Sequence, residues 1–185
     1  MKAASVWIAA IAWAAAAQAG PLAIGDPLPR AELEKVHGRL ASLGSLGDSG
    51  ALVVFHSSAC EESRAWEPTL IELGNSATQR LVRTTIVDPD AGQGSDPQRA
   101  AAERGIRFGY VADADGAVAR AFGASSTPEA FLFDGGGRLV YRGAVGTRAG
   151  ETRSYLADAL DAMLTREPVP IPVTAPAGCP MRSGE

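Results

Sequence analysis

The stretch Ala51-Leu-Val-Val-Phe-His-Ser-Ser-Ala-Cys60-Glu-Glu-Ser-Arg-Ala-Trp66 carries the strongest structural signal in this chain of 185 residues. Its first five residues form a short apolar run, which is typical of a buried strand, and a strand is predicted over residues 51–56. A helix is predicted over residues 60–76, because Trp66 and Leu70 recur at helical spacing, and Ser57 or Ser58 is a candidate cap for it. Cys60 therefore begins the helix, where the positive end of the helix dipole favours a thiolate.

The remaining pattern alternates between strands and helices. Further strands are predicted at 81–87, 108–112, 129–133 and 138–142, with a weaker candidate at 36–40. Further helices are predicted at 97–104, 117–122 and 151–166. This order indicates an α/β fold with a mixed central sheet and helices on both faces.

The C-terminal residues 167–185 differ in composition from the rest of the chain. They contain Pro168, Pro170, Pro172, Pro176 and Pro180. Since proline lacks a backbone N–H and fixes φ, this segment is predicted to be neither a helix nor a central strand. We interpret it as an extended tail, laid over the domain formed by residues 20–166 or free of it, which carries Cys179.

The N-terminal residues 1–19 have the pattern of a signal peptide. Lys2 precedes an apolar run, and Ala17-Gln18-Ala19 is a small-x-small cleavage motif, so cleavage is predicted after Ala19. The alternative is an uncleaved anchor, although the run is shorter than the ~20 residues that a membrane span needs. The mature protein is therefore predicted to be periplasmic or secreted, without a stable membrane span, and disulfides persist in those compartments.

Charge and composition exclude several classes of partner. The formal net charge is −4, and basic residues are nowhere concentrated, so neither nucleic acid nor an anionic membrane surface is an expected partner. The two cysteines and two histidines lack the close spacing of a metal site. We expect no metal and no cofactor.

Three segments together resemble a known protein family. They are residues 55–68 (FHSSACEESRAWEP), 123–143 (GASSTPEAFLFDGGGRLVYRG) and 170–181 (PIPVTAPAGCPM). In this order they resemble the redoxin family, the alkyl hydroperoxide reductase/thiol-specific antioxidant branch of the thioredoxin-like superfamily, in an extracytoplasmic form with a C-terminal Gly-Cys tail. The chain departs from the usual pattern at Glu61, where relatives usually have proline, and it has Ser63 where a dithiol motif has its second cysteine.

The resemblance implies a thioredoxin-like fold and a substrate groove. In that fold Pro128 would be a cis-proline opposite Cys60, and the backbone of Thr127 would pair with an extended substrate chain. Ser58 and Ala59 would supply backbone donors near the sulfur, and together with Thr127 and Pro128 they are the predicted substrate-binding residues.

Cys179 has three possible roles. It can resolve a mixed disulfide formed on Cys60, it can be a permanent disulfide partner of Cys60, or it can be an unpaired thiol in a loose tail. An even number of cysteines in a secreted chain favours pairing. A Cys60–Cys179 bond closing so long a loop would stabilise the fold by ~4–5 kcal/mol in the chain-entropy model.

Three residues near Cys60 are predicted to assist it. The hydroxyl of Ser63 could donate a hydrogen bond to the Cys60 thiolate, or it could be a solvated helix residue. His56 could shuttle a proton near neutral pH. Ser57 lies where a peroxidase site has a threonine, whereas Val53 replaces the expected proline and nothing in the sequence fixes the position of Arg142 as the required cation.

These observations lead to one principal hypothesis and two alternatives. The principal hypothesis is an extracytoplasmic thiol–disulfide oxidoreductase with Cys60 as nucleophile and Cys179 as its partner. It would exchange electrons with a thiol or disulfide protein or with a small thiol. The alternatives are a disulfide-stapled binding module without redox turnover and a peroxiredoxin-like thiol peroxidase.

Overall fold

The computed structural model describes residues 20–29, 32–33, 41–42, 48–91, 97–147 and 154–181. The predicted signal peptide at 1–19, the weaker strand candidate at 36–40 and the first residues of the predicted helix at 151–166 lie outside these ranges. Within the described residues, no helix has both the length and the apolar character needed to cross a membrane.

The secondary structure follows the predicted order, with small shifts at the ends of elements. The strands are β1 (Glu32–Leu33), β2 (Ala41–Ser42), β3 (Gly50–Phe55), β4 (Val82–Asp88), β5 (Gly109–Ala112), β6 (Ser126–Thr127), β7 (Glu129–Asp134), β8 (Leu139–Gly143) and β9 (Cys179–Pro180). The helices are α1 (Glu61–Gln79), α2 (Pro97–Glu103), α3 (Ala117–Phe122) and α4 (Tyr155–Thr165). The two-residue strands β1, β2, β6 and β9 were not predicted, because so short a segment has no periodicity to detect.

The longer strands form a mixed sheet. β7 pairs antiparallel with both β3 and β8, while β4 and β5 pair parallel. Hydrogen bonds from Ser49 N to Leu81 O (3.2 Å) and from His56 N to Val87 O (3.0 Å) join the two ends of β3 to β4. The predicted α/β class with a mixed central sheet is confirmed.

Both faces of β3 are buried, which explains its continuous apolar sequence. Leu52 and Val54 pack into one cluster with side chains of α1 and α4, among them Leu70 and Leu160. Val53 and its neighbours on the other face pack into a second cluster with side chains of α3. The end of β3 is thereby fixed from two sides, and the chain that follows it enters α1 from a rigid position.

The start of α1 differs from the prediction in one respect. The helix begins at Glu61, and Cys60 itself is the N-cap residue, so neither Ser57 nor Ser58 caps it. The reason is that the two serines lie too far upstream of the first helical residue. Further along the helix, Gly74 lies directly against the ring of Phe108, where a Cβ would come 2.5 Å from Cζ.

The tail lies over the domain in two places. At the first, Arg142 N donates to Pro172 O (3.0 Å) and Thr174 N donates to Arg142 O (3.1 Å), which attaches the tail to the edge of β8. At the second, β9 pairs antiparallel with β6. Residues 175–178 between the two attachments are exposed.

Candidate active site

Cys60 is held at the junction between β3 and α1. Its backbone is extended, with φ −91° and ψ 124°, and its Sγ accepts a hydrogen bond from the backbone N–H of Ser63 at 3.4 Å. The residue is only 4% exposed. The N–H donor and the helix N-terminus stabilise negative charge on this sulfur, whereas Glu61 and Glu62 in the first turn oppose it.

Cys60 is joined to Cys179 by a disulfide bond. The two Cα atoms are 5.9 Å apart, and the bond closes a loop of sequence separation 119. Cys60 is buried, while Cys179 is partly exposed. The structure therefore brings together the N-terminal end of α1 and a partly exposed tail.

The tail segment around Cys179 pairs with the backbone just before Pro128. In the β6–β9 ladder, Thr127 lies opposite Cys179 and Ser126 lies opposite Pro180. The Thr127–Pro128 peptide is cis, as the family resemblance implied. The carbonyl oxygen of Thr127 lies 3.4 Å from the Sγ of Cys60. Thr127 therefore faces both halves of the disulfide.

His56 and Ser63 form a buried pair behind Cys60. Ser63 Oγ lies 2.7 Å from His56 Nδ1 and accepts a hydrogen bond from Ser57 N at 3.1 Å. Both contacts engage the Ser63 hydroxyl oxygen with groups other than the sulfur of Cys60. It is therefore the Ser63 backbone N–H, and not its hydroxyl, that contacts the sulfur.

The far side of His56 faces an ion pair. Nε2 lies 3.3 Å from Glu67 Oε2, a close contact without hydrogen-bond geometry, and Arg104 Nη1 donates to both oxygens of Glu67 at 3.0 Å. Burial lowers the pKa of His56, and the nearby Glu67 carboxylate only partly counteracts this. The imidazole is therefore neutral near pH 7.

The loop between β3 and Cys60 is internally hydrogen-bonded. Ser57 Oγ donates to Asp90 Oδ2 at 2.5 Å and accepts from Ala59 N at 3.1 Å. Ser58 is exposed, and its carbonyl oxygen accepts from Arg64 at 3.2 Å. The N–H of Ala59, expected to face a substrate, is thus engaged within the loop.

Glu129 supports the β6 edge and was not found from the sequence. It is 1% exposed, and its Oε2 accepts from Ser125 N (2.8 Å), Ser125 Oγ (3.3 Å) and Ser126 N (3.3 Å). Burial raises the pKa of Glu129, although these donors favour its charged form. The one signal in the sequence was an acidic residue directly after Pro128, at the start of a buried strand.

A cavity of about 430 Å³ opens beside the disulfide. Both cysteines, Ser57 and Thr127 line it, together with three carboxylates: Asp90, Asp113 and Asp115. The described residues that line it include neither arginine nor lysine. Asp113 caps α3 by accepting from Val118 N (3.0 Å) and Ala119 N (2.9 Å), while burial raises the pKa of this carboxyl. The disulfide is thus approached through an acidic opening.

The two residues considered for peroxide chemistry lie apart from this cavity. Val53 is buried in the middle of β3, and Arg142 is on β8, paired with Phe131 of β7. Neither is among the residues that line the opening beside Cys60.

A sequence model of the AhpC/TSA family matches residues 24–142. The chain belongs to the AhpC/TSA family. The matched region contains β3, the Cys60 junction, the Thr127–Pro128 peptide and the β7–β8 hairpin. In this AhpC/TSA-family chain, α4 and the tail with Cys179 lie beyond the matched region.

Solved structures share its thioredoxin-like fold. An uncharacterized conserved protein from Geobacillus kaustophilus is 24% identical, with a TM-score of 0.75 over 86% of this chain and 92% of that one. A hypothetical protein from Sinorhizobium meliloti 1021 is 25% identical, with a TM-score of 0.75 over 87% and 94%. A putative thiol:disulfide interchange protein DsbE from Chlorobium tepidum is 22% identical, with a TM-score of 0.62 over 77% and 99%. No curated protein matches this AhpC/TSA-family chain.

Proposed function

We propose that this protein is a thiol–disulfide oxidoreductase that acts outside the cytoplasm, with Cys60 as nucleophile and Cys179 as its resolving cysteine. The observation that carries the proposal is the disulfide between a cysteine at a helix N-terminus and a cysteine in a tail that lies in the groove beside Thr127. A helix N-terminus stabilises a departing thiolate, which is what repeated exchange requires.

The exchange proceeds in two steps. The Cys60 thiolate attacks one sulfur of a substrate disulfide, the substrate S–S bond breaks, and the other substrate sulfur leaves as a thiolate. The Cys179 thiolate then attacks Sγ of Cys60, the mixed disulfide breaks, and the second substrate thiolate leaves. The substrate gains two electrons and the enzyme becomes the Cys60–Cys179 disulfide. The reverse sequence oxidises a substrate dithiol.

Backbone groups next to the disulfide position the two reacting cysteines. The backbone N–H of Ser63 donates to the sulfur of Cys60, and the backbone of Thr127 pairs with the tail strand at Cys179. A thiol or disulfide protein, or a small thiol, supplies or removes the electrons. The predicted signal peptide at 1–19 supports a periplasmic or secreted location, where such exchange partners occur.

The peroxidase alternative has less support than the exchange mechanism. Peroxide activation needs a cation beside the thiolate, and the cavity beside Cys60 is lined by Asp90, Asp113 and Asp115. The stapled binding module remains the alternative that the first experiment addresses, because a permanent Cys60–Cys179 bond would stabilise the fold without any exchange.

The test is the reduction potential of the Cys60–Cys179 couple in the mature chain. The protein is equilibrated in glutathione redox buffers, alkylated, and analysed by intact mass. A potential well above about −300 mV supports exchange, because structural disulfides in secreted proteins lie below that value. A bond that resists reduction below it would instead identify a stapled scaffold.

The two single cysteine variants complete the test. Cys60→Ser abolishes exchange with disulfide substrates, whereas Cys179→Ser still forms a mixed disulfide on Cys60 but does not release it efficiently. If both variants lose stability to the same extent and neither affects exchange, the bond is structural.

A further inference from the structure

The tail lies on the β6 edge as a bound peptide would. The backbone of β9 pairs antiparallel with β6 through Cys179 and Pro180, and Met181 N donates to Ser125 O at 2.9 Å. Glu129 holds the Ser125–Ser126 backbone from behind, so the edge is fixed independently of the tail. The tail therefore reveals the register in which this edge binds an extended chain.

At Gly178, the residue directly before Cys179, the structure leaves no space for a side chain. Gly178 has φ +143°, a conformation that residues with a side chain rarely adopt, and a Cβ there would lie 2.7 Å from the carbonyl carbon of Thr127 and 3.0 Å from Cδ of Pro128. Its nearest neighbour would be the carbonyl oxygen of Thr127 itself. Thr127 is 2% exposed, and its backbone is part of β6, so it cannot move aside as a surface side chain would. In the backbone conformation that the tail adopts, a side chain at this position would therefore collide with the backbone of the groove.

The residue two positions after the cysteine meets an apolar site. Met181 is partly buried and packs against the second core cluster, alongside Leu28, Ala119 and Ala124. Pro180, between the two, is exposed. The groove therefore discriminates at the position before the cysteine and at the second position after it.

We propose that the groove beside Thr127 is selective for extended polypeptides carrying Gly-Cys-x-apolar, and that the tail is a built-in competitor with this same pattern. The proposal rests on the proposed function and names its substrate class. A segment that binds along β6 in the backbone conformation of the tail meets the same carbonyl oxygen of Thr127. A glycine before the cysteine avoids it.

The tail and the partner exchange places during the reaction. The Cys60 thiolate attacks the cysteine sulfur of a partner disulfide, and the partner's other sulfur leaves as a thiolate. The Cys179 thiolate then displaces the partner cysteine from Cys60 and forms the intramolecular disulfide. Thr174 anchors the tail through Tyr141 OH (2.9 Å) and Ala144 N (2.9 Å), and the exposed residues 175–178 let Cys179 leave and return.

The first experiment uses the full mature chain carrying Cys179→Ser. Its Cys60 is reacted with the symmetric disulfide of acetyl-Ala-Pro-Ala-Gly-Cys-Pro-Met-amide, and the mixed disulfide is quantified by intact mass after an acid quench. The comparison probe has alanine in place of the glycine, and the control probe has serine in place of the alanine directly before that glycine. We expect the equilibrium constant for mixed-disulfide formation to be at least tenfold smaller with the alanine probe than with the parent probe. The control probe should give the same constant as the parent.

The outcomes separate this inference from the proposed function. Equal exchange with the glycine and alanine probes overturns the selectivity, and so does exchange with glutathione disulfide but with none of the peptides. If Cys60 exchanges with neither peptides nor glutathione disulfide, the proposed function fails as well.

A second measurement tests the same restriction within the chain. In the full-length protein, Gly178→Ala is expected to shift the equilibrium with glutathione at least tenfold towards the dithiol form, while the exposed control Ala177→Ser leaves it unchanged. An unchanged equilibrium in Gly178→Ala would show that the groove accepts a side chain before the cysteine, and would overturn the inference.

Discussion

The hydroxyl oxygen of Ser63 lies 2.7 Å from Nδ1 of His56, and both side chains are fully buried. The same oxygen accepts from the backbone N–H of Ser57. Ser63 occupies the position of the second cysteine in a dithiol motif, yet its hydroxyl contacts His56 and Ser57 and not the sulfur of Cys60. The contact to the sulfur of Cys60 comes from its backbone.

Replacing Ser63 should therefore affect stability more than reactivity. Ser63→Ala leaves His56 Nδ1 and Ser57 N without a partner, which should lower the free energy of unfolding by about 1–3 kcal/mol. The rate at which Cys60 is alkylated in the Cys179→Ser background should stay within a factor of about two, because the backbone donor remains. Urea denaturation and timed alkylation measure the two effects. Ser58→Ala, at an exposed position, is the control, and a large loss of alkylation rate in Ser63→Ala would contradict this assignment.

His56 should make stability depend on pH in the acid range. Burial lowers its pKa from the ordinary 6.5, so between 6.5 and the lower folded value the unfolded chain binds a proton that the folded protein does not. The free energy of unfolding should thus fall as the pH drops below 6.5, by up to about 1.4 kcal/mol per pH unit. His56→Asn keeps an acceptor near Nδ1 and cannot titrate, so its stability curve should lack this component. Parallel curves for the two proteins, from urea titrations between about pH 5 and 8, would rule His56 out as the cause.

The sequence alone was sufficient to predict the strand and the helix whose apolar residues form a strong, regular pattern. The continuous apolar run of β3, followed by Cys60 and the Trp66–Leu70 stripe, predicted both elements that hold the sulfur, because a buried strand and an amphipathic helix each leave a regular pattern. The cis Thr127–Pro128 peptide was expected from the family resemblance and is present.

Functional groups that come together only through the fold could not be found from a periodic pattern. Glu129 supports Ser125 and Ser126 only because the chain folds back on itself, and Asp90, Asp113 and Asp115 converge from two loops separated by β5. No period links such residues. The docking of the tail was likewise undetermined, because its prolines exclude a helix but do not distinguish a strand on the β6 edge from a free segment.

Glu129 is expected to be a positioning residue for the groove. Glu129→Gln keeps one acceptor oxygen but adds an NH₂ group facing the donors of Ser125 and Ser126, which should cost about 1–3 kcal/mol of stability. Because these donors hold the edge on which β9 docks, the variant should also shift the Cys60–Cys179 equilibrium with glutathione towards the dithiol. The matched control is Glu72→Gln, at an exposed position of α1. Lost stability without any change in the thiol equilibrium would assign Glu129 a purely structural role.

The acidic opening beside the disulfide should discriminate among small thiols by charge. Asp90, Asp113 and Asp115 line the cavity next to both sulfurs, so an approaching thiolate that carries further negative charge is repelled. Reduction of the disulfide by 2-mercaptoethanesulfonate should be several-fold slower than reduction by cysteamine, after correction for the thiolate fraction of each. The difference should largely vanish at 1 M salt, where the Debye length is about 3 Å.

Removing one of these charges should reduce the discrimination. Asp115→Asn is the informative variant because Asp115 is exposed at the opening, whereas Asp113 is buried and caps α3. The ratio of the cysteamine rate to the sulfonate rate should fall in Asp115→Asn and remain unchanged in Glu167→Gln, an exposed position outside the cavity. A ratio that neither salt nor Asp115→Asn alters would mean that thiols reach the disulfide by a route that avoids these carboxylates. Cys179, the more exposed of the two cysteine residues, would then be the point of attack from the solvent side.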